Sequence, residues 1–312
     1  MTATDLRPEP HPELRAEFRA AGTELTERRR SGVSVGAVHD IGRRPELARI
    51  DWDDDGAAIL GALVTIDRIA EDARIRDSYP GLTAAAGDLA TPQIRRMATL
   101  GGNLLQHTRC WYYRHPATTC LRKGGSTCPA RTGNHRYGVV FDLGPCIAPH
   151  PSTLGAALLA YDAVVSTDQR ADLPVAEVFG TGTDATRHHC LEPGELLTAV
   201  RLPPPVGDER AAYRRVISRA RGEWPLVEAL ARLLVADGVV VSAAVTVGGV
   251  APVPLRLSAV EAALLGAPPD AHRIAAASTL AAQGATALPM TEYKIPLLVA
   301  TVHDVLEHAA RS

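Results

Sequence analysis

Apolar residues change their period several times along this chain, and each change predicts an element. Residues 1–16 are polar, contain three prolines and read as an extended lead-in. Phe18 to Leu25 (FRAAGTEL) is a turn that opens toward a helix. Ala57 to Ile66 (AAILGALVTI) is apolar enough for a strand that runs into a helix start. Thr83 to Ala90 predicts a helix. Behind Pro151, Ser152 is placed as an N-cap, with Leu154, Leu158 and Leu159 on one face of the helix that follows. Leu226 to Val235 and Val239 to Val247 predict two strands around the turn Ala236-Asp237-Gly238. Ser258-Ala259-Val260-Glu261 has the form of a capping box. Glu292 to Ala310 predicts an amphipathic helix.

One stretch follows neither period. Cys110 to Gly144 is rich in Gly, Arg, His and Thr, and reads as a long irregular insertion of the kind that usually serves function. The run Leu202-Pro203-Pro204-Pro205-Val206-Gly207 is the best domain boundary. There is no internal repeat. The expected class is α+β: a first domain over 1–205 with the insertion at about 106–147, and a second over 206–312.

Composition narrows the surroundings. The 312 residues are 46% hydrophobic but only 4% aromatic, so the cores must be aliphatic. A net charge of -2 gives no general drive toward nucleic acid or anionic membranes. Arg28-Arg29-Arg30 is a local basic run, read as a solvated face. No apolar run approaches the roughly 20 residues that span a bilayer. Met1 to Pro8 has no apolar core, so no signal peptide is read. The expectation is a soluble, cytoplasmic chain that keeps its five cysteines as thiols or metal ligands. Export as a folded complex would need a partner's signal.

The candidate chemistry lies in the insertion and just before it. Cys110, Cys120, Cys128 and Cys146 follow C-x9-C-x7-C-x17-C, while Cys190 stands apart. Four thiolates suit an iron–sulfur cube or a structural zinc. The spacing matches neither a zinc knuckle nor a ferredoxin run, so cube, zinc and plain buried thiols all stay open. Gly124, Gly125, Gly133, Gly138 and Gly144 are expected to let backbone N–H groups approach sulfides. Arg109, Arg122, Lys123 and Arg131 are expected to offset cluster charge. His107, His115, His135 and His150 keep a mixed Cys/His site open. Two glycine turns, Gly22-Thr23 and Gly101-Gly102, expose backbone donors able to hold phosphate, with the Thr23 and Thr99 hydroxyls beside them. Neither matches the dinucleotide fingerprint. His188-His189-Cys190 is read as a loop, and His303 and His308 as surface. No nucleophile–base pair stands out, so bond-breaking on a substrate is expected elsewhere.

At this point the residues carry a resemblance. Ile94 to Leu104 (IRRMATLGGNL) is similar to the second flavin motif of the FAD-binding medium subunits of molybdenum hydroxylases, relatives of xanthine dehydrogenase, carbon monoxide dehydrogenase and bacterial aldehyde oxidoreductases. Ala21 to Leu25 resembles the first FAD pyrophosphate loop. Ala148-Pro149-His150-Pro151-Ser152, Leu202 to Pro205, Val247 to Pro252 and Tyr293-Lys294-Ile295-Pro296 agree in order. Gln106 to Tyr112 and the following cysteines resemble the [4Fe–4S] insertion of aldehyde oxidoreductase medium subunits. The chain departs at Ala21, where the family has glycine, at Glu24 (Asp or Asn), at Thr153 (Asp) and at Arg215 (Lys).

The resemblance implies a two-lobed FAD-binding domain followed by a smaller α+β domain with a sheet packed on helices. It implies FAD held by Ala20, Ala21, Gly22, Thr23, Glu24, Leu25, Thr99, Gly101, Gly102, Asn103, Thr153, Leu197 and Arg215, and a [4Fe–4S] cluster on Cys110, Cys120, Cys128 and Cys146. The implied partners are a large molybdopterin-binding subunit, a small [2Fe–2S] subunit and an external electron acceptor, with no nucleic acid and no membrane insertion. Two rival readings share the fold: a flavin-free, metal-stapled scaffold, and a zinc-stapled binding protein.

Overall fold

The computed structural model describes residues 17–219 and 222–311, so the lead-in over 1–16 lies outside the described residues. The chain starts with a small parallel pair, β1 (Glu17–Arg19) beside β2 (Val38–Asp40), with α1 (Leu25–Arg30) between them. Arg28 in α1 corrects the reading of a solvated basic run. It is only 5% exposed, bonded to the carboxylates of Glu17 and Glu24, while Arg29 and Arg30 are exposed.

A five-stranded antiparallel sheet follows. It is built from β3 (Ile50–Trp52), β4 (Ala58–Gly61), β5 (Val164–Thr167), β6 (Leu173–Pro174) and β7 (Leu197–Leu202), in the order β3-β4-β7-β5-β6. Between β4 and β5 the chain makes short helices: α2 (Ile66–Glu71), α3 (Ala73–Ser78), α4 (Pro80–Asp88), α5 (Pro92–Met97) and α6 (Leu100–Leu104). Their brevity has a local cause. Thr65, Asp72, Thr91 and Thr99 each accept a backbone N–H three residues on, so the chain restarts a helix at each cap. The insertion forms only α7 (Trp111–Arg114) and one 3-10 turn (Leu121–Lys123). Then come α8 (Thr153–Ala160) and α9 (Val175–Phe179). Ser152 caps α8 as expected, accepting from Gly155 N at 2.9 Å. The helix is buried nearly all round, with only Leu159 of Thr153–Ala160 partly exposed, so its apolar residues do not form a single stripe.

The second sheet runs β11-β10-β9-β8, from β8 (Glu209–Val216), β9 (Val227–Ala236), β10 (Val239–Gly248) and β11 (Leu255–Arg256). Asp237 and Gly238 both take positive φ, 50° and 78°, which is the tight hairpin turn the sequence predicts. The helices α10 (Ser258–Leu264), α11 (Ala271–Thr279) and α12 (Lys294–Arg311) complete this part. The capping box fails. α10 begins at Ser258 itself with no side-chain cap, because Glu261 Oε1 instead accepts from Val245 N at 2.8 Å and from Arg256 Nε at 2.8 Å.

One core packs the first sheet on its helices and takes in Tyr213, Leu230 and Ala244 from the second sheet. A second core packs β9 and β10 against Leu298, Val302, Val305 and Leu306 of α12. Val140 and Phe141, late in the insertion, are buried in that second core. The insertion is thereby anchored between the two halves of the molecule.

Candidate functional site

The first glycine loop leaves β1 at Arg19. Gly22 has φ +75°, and its carbonyl accepts from Thr26 N at 3.0 Å to start α1. Ala21 is exposed and is not among the positive-φ residues, so only Gly22 needs the glycine conformation here. Ala20 packs on the small core around Ile41, Leu25 is buried, and Thr23 is exposed. Glu24 is already engaged. One oxygen accepts from Arg28 Nε at 2.7 Å and the other from the Arg114 guanidinium at 2.7 Å.

The second loop sits on the exit of β4. Leu100 N donates to Val64 O and Gly101 N to Ala62 O, each at 2.9 Å. A Cβ on Gly101 would lie 3.0 Å from the Ala62 Cβ and 3.2 Å from its carbonyl oxygen, so a side chain there would push on the exit of β4. Gly102 differs. It is exposed, and a Cβ there would meet only the cap oxygen of Thr99, at 3.0 Å. Asn103 is buried and clamps α6 to α8. Its Oδ1 accepts from Ser152 Oγ at 2.8 Å and from Leu154 N at 3.2 Å.

Polar side chains link the two loops. Arg109 donates to Glu27 at 2.8 Å and to Gln106 at 3.0 Å. Gln106 in turn donates to the carbonyls of Asn103 and Pro151, at 3.0 and 3.2 Å. The loop residues 20–25 and 99–103 thus belong to one hydrogen-bonded assembly. The other three predicted residues are committed to the sheets. Leu197 is a buried β7 residue opposite Thr167. Arg215 donates to the carbonyls of Asp88 and Glu223. Thr153 donates to Glu228 at 2.7 Å, where Tyr213 also donates at 2.6 Å. Burial pushes the Glu228 carboxyl up and these two donors oppose it. Thr153→Val removes one donor from a fully buried carboxylate and is expected to cost about 1.5–3 kcal/mol in urea unfolding. Its bound flavin should be unchanged; a drop in flavin content with unchanged stability would make Thr153 a cofactor contact instead.

Cys110, Cys120, Cys128 and Cys146 all line one small cavity inside the insertion. Cys120 and Cys146 are buried. Arg122 Nε donates to Cys146 Sγ at 3.3 Å. Cys146 is pulled down to about 5 by its hydrogen bond with Cys128, aided by Arg122, while burial pushes Cys110 and Cys120 up. Among the described residues no group of three or more His, Cys, Asp or Glu converges tightly enough to hold a single metal ion. Tetrahedral zinc at Zn–S of about 2.3 Å would need its sulfurs roughly 3.8 Å apart. Cys128 and Cys146 are hydrogen-bonded to each other while all four thiols line one cavity, a donor set that suits either zinc or a cube.

The insertion's other expected roles need correction. The N–H groups of Gly124, Gly125, Gly133 and Gly138 donate to the carbonyls of Leu121, Cys120, Pro129 and His135. Gly125 and Gly138 also serve close packing: a Cβ on Gly125 would lie 2.8 Å from Thr119 and one on Gly138 2.9 Å from His135 O. Arg131 is paired bidentately with Asp142, and Lys123 donates to His115 O at 2.6 Å. Of the four cations, only Arg122 is hydrogen-bonded to a sulfur.

Two features escaped the sequence. A cavity of about 440 Å³ opens between the insertion and the second sheet, lined by Trp111, Tyr112, Tyr137, Trp224, His150 and Lys294 among others. Glu27, Arg109 and Arg114 line it too, which joins it to the first loop, and Cys110 joins it to the cysteine cavity. Lys294 is 1% exposed and donates to Gly249 O at 3.0 Å, with burial pulling its ammonium down to about 7. The second feature is a set of buried histidines. His188, expected in an ordinary loop, stacks on His107 with ring centroids 3.9 Å apart, and His107 Nδ1 lies 2.6 Å from the Tyr113 hydroxyl. No spacing in the sequence reveals this, because residues 107 and 188 meet only in the folded chain.

The fold defines the class first. Over 96% of its length the chain superposes, with a TM-score of 0.73 and 21% identity, on 90% of a chain of carbon monoxide dehydrogenase from Hydrogenophaga pseudoflava. A chain of quinoline 2-oxidoreductase from Pseudomonas putida 86 gives a TM-score of 0.72 at 20% identity, covering 95% of this chain and 90% of that one. The sequence then specifies the family. Residues 7–205 match the family described as "FAD binding domain in molybdopterin dehydrogenase", and residues 211–309 match "CO dehydrogenase flavoprotein C-terminal domain". The aldehyde oxidoreductase FAD-binding subunit PaoB of Escherichia coli K12 is 35% identical over 260 residues, 80% of this chain and 79% of PaoB. The 6-hydroxypseudooxynicotine dehydrogenase complex subunit alpha of Paenarthrobacter nicotinovorans is 26% identical, over 80% of this chain and 70% of its own. The chain belongs to the FAD-binding subunits of the molybdopterin dehydrogenases, an oxidoreductase family.

Proposed function

We propose that this chain is the electron-transfer subunit of a multi-subunit molybdenum hydroxylase, holding FAD at its two glycine loops and a [4Fe–4S] cluster on Cys110, Cys120, Cys128 and Cys146. The observation that carries the cluster is the enclosure of one cavity by four thiols, with a guanidinium N–H already on one sulfur. FAD rests on the family match and on Gly102, whose exposed face is open except for a cap hydroxyl. The 440 Å³ aromatic cavity has the size and lining of a cofactor site and is the berth we assign to the flavin ring.

When bound, flavin exchanges electrons singly or in pairs, so it can link one-electron centres to a two-electron acceptor. The chain's own residues do the rest. Glu24 and Glu27 with Arg114 and Arg109 fix the first loop against the insertion, so the two cofactor sites share one rigid frame. Gln106 and Asn103 fix the second loop to α8. The partners we propose are a large molybdopterin subunit that oxidises the substrate, a small [2Fe–2S] subunit that delivers electrons, and an external acceptor. The FAD domain spans 1–205 and the second domain 206–312. The work is assigned to the cytoplasm; among the described residues no helix is long and apolar enough to cross a membrane.

The test is the composition of the natively purified complex. The expected result is about four iron, about four sulfide and one FAD on this chain, with a molybdopterin chain and a two-cluster chain beside it. One zinc without sulfide would remove the cluster. A full cluster with no flavin after soaking in FAD would leave only the scaffold.

A further inference from the structure

Around the cysteine cavity and the first loop most cations are committed elsewhere: Arg28 faces Glu17 and Glu24. Arg131 faces Asp142, Arg109 faces Glu27, Arg114 faces Glu24, and Lys123 caps a backbone carbonyl. Arg122, like Lys123, forms no ion pair with a carboxylate among the described residues, and of the two only Arg122 is hydrogen-bonded to a sulfur. Its Nε lies 3.3 Å from Cys146 Sγ, and its other arm donates to the carbonyl of Arg187. That carbonyl belongs to the loop of the buried histidines, so the guanidinium is held from both sides. Arg122 also sits two residues after Cys120, on the 3-10 turn Leu121–Lys123. A chain that binds through Cys120 therefore brings this cation to Cys146 by the same turn. A part-buried cation with no carboxylate counts on negative charge from elsewhere, and ligated thiolates are the nearest source.

We infer that Arg122 sets the reduction potential of the centre held by the four cysteines, through its N–H···S bond to Cys146; this rests on the cluster reading above. Reduction adds one electron, and so one negative charge, to the centre. A hydrogen bond and a positive charge at a ligating sulfur favour the more negative state and raise the potential. Arg122 is a positioning residue with an electrostatic effect. It makes the centre an easier acceptor for electrons arriving from a partner subunit.

The experiment is a mediated redox titration of the native complex followed by electron paramagnetic resonance, with iron and sulfide measured on every sample. Arg122→Ala is expected to lower the equilibrium constant for reduction about tenfold, which for one electron is about 59 mV toward negative potential. Arg122→Lys keeps the charge but not the planar donor, and is expected to fall between the two. Full iron and sulfide with an unchanged midpoint in Arg122→Ala overturns this inference and leaves the cluster reading standing. Absence of iron from the unmutated complex overturns the cluster reading itself. If Arg122→Ala loses its iron, Arg122→Lys decides by its midpoint. Loss of iron from both variants makes Arg122 a structural residue and also overturns the inference.

Discussion

Gly102→Asp is expected to reduce bound FAD from one per chain to none while leaving the fold and the iron content in place. The reason is the contrast between neighbouring glycines. Gly101 is buried against Ala62, and any side chain there must displace backbone-linked atoms. Gly102 is exposed, and a Cβ there meets only the Thr99 hydroxyl oxygen within 4 Å. An aspartate therefore fits once the Thr99 hydroxyl gives by a few tenths of an ångström. Its carboxylate would stand beside the exposed face of α6 that we assign to the FAD phosphates, and would both fill and repel that site. Gly102→Ala adds bulk without charge and is expected to keep most of the flavin. The measurement is flavin released by acid or heat, normalised to protein, alongside thermal unfolding. Full flavin in the aspartate variant would show that the phosphates sit elsewhere.

Acid is expected to destabilise this protein steeply below pH 6.5, through its buried histidines. Burial first, and nearby arginines second, pull His150 down to about 3 and His189 to about 4. Burial likewise holds His107 and His188 well below the usual range, with Arg28 next for His107 and His107 next for His188. His150 Nε2, His188 Nε2 and His189 Nδ1 have no hydrogen-bond partner among the described residues, so nothing there rewards a proton on them. The direction follows from linkage. Above about 6.5 both folded and unfolded chains carry neutral rings, and the full stability is present. As pH falls, the unfolded chain takes up protons that the folded chain refuses, until the pH has passed below the folded values. Each histidine then costs up to about 1.4 kcal/mol per pH unit. Four of them sum to about 8 kcal/mol at pH 5 as an upper bound, comparable to a typical domain's whole stability. Urea midpoints at pH 7, 6 and 5 test this. His188→Phe, which keeps a ring on His107, should make the pH slope shallower by one proton, and an unchanged slope would place the acid sensitivity elsewhere.

Much of the local structure around this site is legible in the sequence. The cysteine spacing, the two glycine turns, the Ser152 cap and the Asp237-Gly238 hairpin are local. The turns, the cap and the hairpin depend on residues within a few positions of one another and the cysteines on one stretch of chain, and chemistry at that range is written in order along the sequence. The family resemblance rested on such local motifs and agrees with the matched family over residues 7–205 and 211–309. Where local form misled, another partner had won. Glu261 left its capping box for Val245 and Arg256, Arg28 left solvent for Glu17 and Glu24, and the insertion's glycines gave their N–H groups to nearby carbonyls.

The sequence by itself determined which residues were available for chemistry: four thiols in one stretch and two glycine turns. Only the tertiary structure decided how they are used. It placed the four thiols around one cavity, bound the first loop to the insertion through Arg109 and Arg114, and stacked His188 on His107 from 81 positions away. It also left Arg122 facing sulfur with no carboxylate of its own. The physical reason is that burial and charge compensation depend on the whole surrounding volume. Which cation keeps an ion pair and which histidine stays neutral is settled only when elements far apart in the chain pack together.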